Sequence, residues 1–171
     1  MKKNLLSSFR LALFQPDIPQ NTGTILRMGA CLGISVDIIE PCGFLWDDRK
    51  LRRAGMDYPE HADWQRHSSW NAFLETRRER GGRLLLLSTK ASMAHTDFVF
   101  EKNDTLLLGR ESAGVPPSVA ETADAALRIP MMPECRSLNV AVAAALAAGE
   151  ALRQLGEWPH ALSERSPVES V

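Results

Sequence analysis

The chain has 171 residues, a length that a single hydrophobic core can organise, so we expect one domain. Apolar residues make up 44% and charged residues 24%, the proportions of an ordinary globular protein. Twenty Lys and Arg oppose 21 Asp and Glu, and the formal net charge of −1 excludes a polycationic nucleic-acid-binding chain. The longest apolar run, residues 140–148, is far shorter than the roughly 20 residues of a membrane span, so no membrane protein is predicted.

The cysteines and histidines indicate neither disulfides nor a metal site. Cys31, Cys42 and Cys135 are odd in number and widely spaced, which favours a reducing, cytoplasmic location. The basic start of the chain is not read as a signal peptide, because Arg10 interrupts its apolar stretch. The four histidines lack the close spacing of metal ligands, so we predict no metal.

Short apolar runs alternate with longer helix-like runs, a pattern typical of an α/β fold with a mostly parallel sheet. The continuous apolar character of these short runs indicates strands buried on both faces, so helices are expected on both sides of the sheet. Strands are predicted at 11–14, 34–39, 84–87, 105–108 and 126–129, with a weaker sixth at 64–67.

Each predicted helix ends at a glycine, the residue that most readily adopts the left-handed conformation of a helix C-terminus. The predicted helices are 22–32 before Gly33, 47–54 before Gly55, 69–80 before Gly81, and 137–155 before Gly156.

The chain divides into a short extension at 1–9, one domain at 10–156 and a tail at 157–171. The tail is rich in Pro, Ser and Glu and poor in large apolar residues, which predicts flexibility. We expect no appended RNA-binding domain, so any partner must be recognised by the single domain or by an oligomer of it.

The loop after the first predicted strand reads QPDIPQ and carries neither the G-x-G-x-x-G nor the G-x-x-x-x-G-K-[ST] fingerprint of a nucleotide site. Asn21 follows this loop as the predicted N-cap of the first helix. Arg27 comes two turns later. A helix cap and a surface cation are the simplest interpretation of these two residues.

The stretch 106–119, LLLGRESAGVPPSV, runs from an apolar strand into Gly109, Glu111 and Gly114. Glycine at the carboxyl end of a parallel strand allows the backbone to approach a ligand, and open α/β sheets bind ligands at that edge. An ordinary turn is the alternative interpretation.

The stretch 128–155 predicts a strand, a Pro-flanked loop and a helix that starts at Ser137. Seven of the ten residues from Val140 to Gly149 are Ala or Gly, so this helix must pack very closely against its neighbours. The polar residues 136–139 at its N-terminus favour an anionic group. The alternative interpretation is a buried core helix, which explains the alanines but not the polar residues that precede them.

Together the three stretches resemble the three motifs of the SPOUT-class RNA 2′-O-methyltransferases. The matching residues are Asn21-Thr22-Gly23 with Arg27, then 109–114, then Ile129-Pro130-Met131 with Ser137-Leu138-Asn139. The segments IEP at 39–41, WDD at 46–48 and LRRAGMDY at 51–58 are similar to the small branch of this class that methylates the wobble nucleotide of tRNA. The resemblance covers roughly residues 10–156.

The resemblance implies an α/β fold with a C-terminal trefoil knot, a homodimer, and S-adenosylmethionine as methyl donor without a metal. The implied substrate is the ribose 2′-OH of cytidine or uridine 34 in the tRNA anticodon stem-loop, in leucine tRNAs. A methyltransferase for another tRNA position or for rRNA is an alternative, and a non-enzymatic RNA-binding module of the same fold is another.

The resemblance also assigns roles to individual residues. Arg27 would act as the base or as a clamp on a neighbouring phosphate, helped by Glu111, while Asn139 would support the catalytic loops. Arg110 departs from the small residue or proline of the family, and its side chain would reach solvent or RNA. The implied cofactor residues are Leu87, Gly109, Ile129, Ser137 and Leu138.

RNA contact is predicted for a basic run in which four cations fall within five positions, because phosphate neutralisation supplies most sequence-independent affinity for nucleic acid. A solvated helix face is the alternative interpretation. The residues are Arg49, Lys50, Arg52 and Arg53.

Overall fold

A seven-stranded parallel sheet forms the centre of the protein, whose computed structural model describes residues 6–46 and 63–159. The strand order is β3-β2-β1-β6-β4-β7-β5, and every pairing in this described part is parallel. The strands are β1 Arg10–Phe14, β2 Ser35–Ile39, β3 Trp64–His67, β4 Leu84–Leu87, β5 Met93–Ala94, β6 Thr105–Leu108 and β7 Ala125–Arg128.

Six of these strands were predicted from the sequence and are confirmed, with ends that differ by at most one residue. The two-residue β5 was not predicted, because it is too short to give an apolar pattern. It pairs with β7 through Met93 opposite Leu127 and Ala94 opposite Arg128.

Helices cover both faces of the sheet, as predicted. In β1, Leu11 and Leu13 belong to one buried cluster, whereas Ala12 and Phe14 belong to another on the opposite face. Successive side chains of a strand point to opposite faces, so an uninterrupted apolar strand needs a layer on each side. The helices are α1 Pro19–Leu32, α2 Trp70–Arg80, α3 Pro117–Ala120 and α4 Val140–Leu155.

The alanine-rich α4 packs on α1 and on one face of the sheet. Ala144, Ala147, Ala148 and Ala151 are each 0% exposed, and the close packing predicted for this helix is confirmed. Small side chains bring the helix backbone near its neighbours, so the N-terminus of α4 is held close to α1.

The predicted N-terminus of α1 is wrong. The helix begins at Pro19 with Ile18 as N-cap, so Asn21 is an internal residue of the first turn. The fixed φ of proline suits the first helical position, and this preference extends the helix three residues beyond the predicted start. As a result the Asn21 side chain is available for contacts other than capping.

The predicted start of α4 at Ser137 is also wrong. Asn139 is the N-cap, and its Oδ1 accepts hydrogen bonds from the backbone N–H groups of Ala141 at 2.8 Å and Val142 at 3.4 Å. Residues 137–139 therefore belong to the loop that precedes the helix.

The predicted glycine ends are confirmed for the described helices. Gly33 and Gly156 adopt left-handed conformations with φ of 70° and 67°. Gly81 follows α2 with φ of 74°. The helix predicted at 47–54 lies outside the described residues.

Ser7 Oγ and the backbone N–H and Oγ of Ser8 donate to the carboxylate of Glu157, at 2.6 to 2.8 Å. The domain boundaries predicted at 9 and 157 stay predictions.

None of the helices in the described ranges combines the length and the hydropathy needed to cross a bilayer. The trefoil knot stays an implication of the family resemblance.

A buried aspartate organises the amino side of the sheet. Asp37 is 0% exposed and accepts from Arg10 Nε at 3.1 Å and from Arg80 Nη1 at 2.8 Å. His67 Nε2 lies 2.8 Å from its Oδ1. Burial opposes ionisation of Asp37, but the bonds from Arg80 and Arg10 outweigh it and lower its pKa.

We expect Asp37→Asn to destabilise the protein by about 3 kcal/mol at pH 7, because two guanidinium groups lose their buried counter-charge. The pKa of Asp37 in the folded protein lies below its unfolded value of about 3.9. The carboxylate therefore stabilises the fold fully above the unfolded pKa, and this stabilisation is lost as the pH falls through the folded pKa. Urea unfolding of both proteins at pH 7 and pH 3 should therefore show a smaller difference at pH 3. An equal difference at both pH values would contradict this account.

Candidate active site

A cleft of about 1110 Å³ opens at the carboxyl edge of the sheet. Phe14, Leu87 and Leu108, the last residues of β1, β4 and β6, line its floor. All strands are parallel, so their following loops meet at this edge, which is where open α/β sheets bind ligands. The loop before α4 completes the walls.

The residues predicted to bind the cofactor meet in this cleft. They come from four separate parts of the chain, and the parallel topology is what collects them. All five line it: Leu87, Gly109, Ile129, Ser137 and Leu138.

Gly109 is required by the close approach of the loop that follows it. A Cβ at this position would lie 2.7 Å from the backbone of Gly114 and 3.0 Å from the nitrogen of Val115. The loop closes on itself because Arg110 N–H donates to Gly114 O at 2.9 Å and Gly114 N–H donates to Arg110 O at 2.8 Å. A side chain at 109 would therefore displace this wall of the cleft.

Glu111 holds the first motif loop against the second. Its Oε2 accepts from the backbone N–H of Asp17 at 2.8 Å, and its Oε1 accepts from Asn21 Nδ2 at 3.1 Å. Both carboxylate oxygens are thus engaged. This geometry makes Glu111 a positioning residue that fixes the loop before α1.

Asn21 continues this connection to the third motif. Its Oδ1 accepts from Asn139 Nδ2 at 2.9 Å, while Asn139 Oδ1 caps α4. Glu111, Asn21 and Asn139 therefore form a continuous chain of hydrogen bonds, which we call the Asn21 bridge. Together with the bond from Asp17 to Glu111, it connects the loop before α1, the loop after β6 and the loop before α4 through the first turn of α1. Glu111, Asn21 and Asn139 all line the cleft.

A second set of contacts supports the same corner. Asp17 Oδ1 accepts from Arg110 Nη2 at 2.9 Å, and Asp17 Oδ2 accepts from the backbone N–H of Ser112 at 3.1 Å. Hydrogen bonds from the Ser112 side chain and from Arg110 lower the pKa of Asp17. The Arg110 guanidinium pairs with Asp17, yet its side chain is 38% exposed and thus reaches solvent as predicted. Its contact with RNA stays a prediction.

Arg27 does not line the cleft of its own chain. It is exposed on α1, six residues after Asn21 and thus about 9 Å further along the helix axis. Gln20, Thr24 and Cys31 share this exposed stripe of α1. The structure therefore brings Glu111 and Asn139 together through Asn21 but leaves Arg27 on an outer face.

The four cations predicted to contact RNA, Arg49, Lys50, Arg52 and Arg53, lie outside the described residues. Within residues 6–46 and 63–159 no cluster of His, Cys, Asp or Glu has the arrangement of a metal site.

Sequence reasoning missed the connecting role of Asn21 and the contribution of Asp17. The two prolines that bracket Asp17 indicated a special loop, but no local pattern identifies a partner more than 90 residues away in the chain. The sequence assigns Arg110 and Glu111 to the second motif but does not indicate that they bind the loop at Asp17.

The model of the SpoU rRNA methylase family matches residues 8–149. The chain belongs to this family. The resemblance inferred from the three motifs is thereby confirmed at the level of the family.

Two known proteins are similar to this chain over most of its length. A tRNA (cytidine(34)-2′-O)-methyltransferase of Beijerinckia indica is 60% identical over 146 residues, which are 85% of this chain and 91% of the relative. A solved structure described as giving insights into the 2-OH methylation of C/U34 on tRNA has a TM-score of 0.81 and 44% identity, and covers 86% of this chain and 96% of its own.

A more distant solved structure is described as AdoMet-bound. The AdoMet-bound rRNA methyltransferase of Sinorhizobium meliloti has a TM-score of 0.77 and 27% identity, over 86% of this chain and 56% of its own. The rest of that protein lies outside the match.

Proposed function

We propose that this SpoU family protein methylates the ribose 2′-OH of cytidine or uridine 34 in tRNA with S-adenosylmethionine as donor. The observation that carries the proposal is the cleft in which the Asn21 bridge joins the three motif loops. Relatives at 60% and 44% identity named for methylation at position 34 support the choice of nucleotide. Leucine tRNAs stay the predicted isoacceptors.

The residues of the cleft fit the proposed cofactor. Its volume of about 1110 Å³ is slightly above that of ordinary ligand pockets, roughly 300–1,000 Å³, which leaves room for a cofactor and one nucleotide together. Gly109, which has no room for a Cβ, lets the loop at 110–114 fold back closely and form one wall of the site. Leu87, Ile129 and Leu138 provide apolar contacts for an adenine ring.

When bound, S-adenosylmethionine supplies a methyl group activated by a positively charged sulfur. The protein must hold the 2′-OH in line with that methyl group and exclude competing water. The Asn21 bridge serves this purpose because it fixes the relative positions of the loops after β1 and β6 and of the loop before α4. Glu111 acts through this positioning, since both of its oxygens are already engaged.

Arg27 is proposed to act on the RNA. The planar guanidinium group is a strong and bidentate phosphate binder, which favours a clamp on a phosphate beside the target ribose over a role as general base. Its exposure on α1 is compatible with a phosphate contact. The basic run at 49–53 is proposed to add sequence-independent affinity for the anticodon stem-loop.

A homodimer is proposed through the exposed face of α4. Val142 and Leu146 are 50% and 46% exposed, and they lie one turn apart on an otherwise small-residue surface. A second copy of the chain would bury this apolar face and would supply more surface for a tRNA arm.

The proposed reaction is tested with labelled S-adenosylmethionine, unmodified tRNA and nucleoside mapping of the product. Wild type should label position 34 only. Gly109→Ala should lower cofactor affinity at least about tenfold, because its Cβ displaces the loop at 110–114.

Gly81→Ala is the matched control for Gly109→Ala. Gly81 has φ of 74° and open space around it at the other edge of the sheet, so this change costs stability without touching the cleft. Calorimetry should find wild-type cofactor affinity for it. Label at another nucleotide, or unchanged affinity in Gly109→Ala, would contradict the proposal.

For Arg27 we expect the Ala variant to lose about 10²-fold in single-turnover rate, with cofactor affinity unchanged. Arg27→Lys should keep a measurable fraction of the rate, because an ammonium still attracts phosphate although it loses the bidentate geometry. Arg78→Ala, an exposed arginine of α2, is the control and should keep the full rate. A fully active Arg27→Ala protein would return Arg27 to the role of a surface cation.

For the dimer we expect Leu146→Arg to give a folded monomer by sedimentation velocity, with at least tenfold lower activity, because a charge would be buried at the interface. Val99→Arg is the control, since Val99 is 71% exposed on another surface. Its dimer and activity should be unchanged. A wild-type protein that is monomeric and fully active would refute the dimer.

A further inference from the structure

Gln15 is an unusual residue at the end of β1. Its φ is 46°, and among the described residues other than glycine only Asn103 shares a positive φ. Glutamine adopts this region rarely, and a following proline, here Pro16, restricts the backbone further. The conformation therefore costs stability that a glycine at this position would avoid.

Neighbouring contacts hold the Gln15 backbone in this conformation. Its N–H donates to Ile39 O at 2.9 Å, and the next residue, Pro16, accepts from Gly43 N–H at 2.9 Å. Asp17 is then fixed by Glu111 and Arg110. The fold thus holds the Gln15 backbone rigidly at the carboxyl edge of the sheet.

Gln15 lines the cleft, and no described residue hydrogen-bonds to its side-chain amide. A half-buried amide without a partner among the described residues, held by a costly backbone conformation, is suited to contact a ligand. The residues that would bind the cofactor follow β4, β6 and β7, which are neighbours in the sheet. Gln15 follows β1, on the far side of β6 from β4.

This arrangement separates two parts of the cleft. Strands lie about 4.8 Å apart, so Gln15 is about 5 Å from the end of β6, about 10 Å from the end of β4 and about 14 Å from the end of β7. Glu111, which accepts from the backbone N–H of Asp17 two residues after Gln15, and its partner Asn21 line the same cleft. The nucleotide to be methylated would occupy the part beside Gln15.

We infer that the Gln15 side-chain amide binds the base edge of the target pyrimidine and allows the site to accept both cytosine and uracil. The inference rests on the proposed function. An amide presents one donor group and one acceptor group side by side. It can accept from N4–H and donate to N3 of cytosine, and after a 180° rotation it can accept from N3–H and donate to O4 of uracil.

A carboxylate at this position would distinguish the two bases. Cytosine offers an exocyclic amine at the end of its edge, which a carboxylate accepts well. The N3–H of uracil lies between two carbonyl oxygens, which repel a carboxylate. Gln15→Glu should therefore shift the ratio of kcat/KM for cytidine over uridine by roughly tenfold toward cytidine.

The test uses the full-length protein and two anticodon stem-loops that differ only in C34 or U34. Gln15→Gly relieves the backbone strain, so its Tm should be equal to or higher than that of wild type. Its kcat/KM should nevertheless fall at least about tenfold on both RNAs, with S-adenosylmethionine affinity within twofold of wild type. Loss of activity without loss of stability is a result that a merely structural role would not give.

Asn103→Gly is the matched control, because it relieves a positive φ of 68° outside the cleft. It should keep wild-type activity and the wild-type ratio between the two RNAs. Three results would overturn this inference but not the proposed function: wild-type rates in Gln15→Gly, an unchanged ratio in Gln15→Glu, or weakened cofactor binding in either variant. A wild-type protein that methylates neither RNA would overturn the proposed function and this inference together.

Discussion

The Asn21 bridge is the interaction on which the candidate site depends. A single asparagine in the first turn of α1 donates to Glu111 and accepts from Asn139, at 3.1 and 2.9 Å. Glu111 also accepts from the backbone N–H of Asp17, so three loops that are far apart in the sequence are joined. Each of these loops alone is an ordinary strand-to-helix connection. Their hydrogen bonding across the cleft gives them fixed relative positions, which an in-line methyl transfer requires.

The packing of the core makes this bridge possible. Strands that are apolar on both faces require a helix layer on each side, and on one of these faces α1 and α4 lie together. The buried alanines of α4 allow that helix to approach closely. Asn139 at the N-terminus of α4 then lies within hydrogen-bond distance of Asn21 in the first turn of α1. Core packing and site geometry are consequences of the same small side chains.

The sequence predicted the sheet, the glycine helix ends and the residues that line the cleft, because these depend on local apolar patterns and on motif spacing. It did not predict that α1 begins at Pro19, and so it interpreted Asn21 as a cap. The partners of Asn21, Asp17 and Arg110 are 90 or more residues away in the chain, and local patterns carry no information about such pairs. The conformation of Gln15 is likewise imposed by its tertiary neighbours.

A double-mutant cycle on the bridge tests the central claim most directly, with kcat/KM for tRNA methylation as the readout. Asn21→Ala removes the central amide, and Asn139→Ser removes the contact to Asn21 while keeping a helix-capping oxygen. If the bridge acts as one unit, the double variant should lose little more than the more impaired single variant. Losses that multiply in the double variant would show that Asn21 and Asn139 act independently, and would contradict this account.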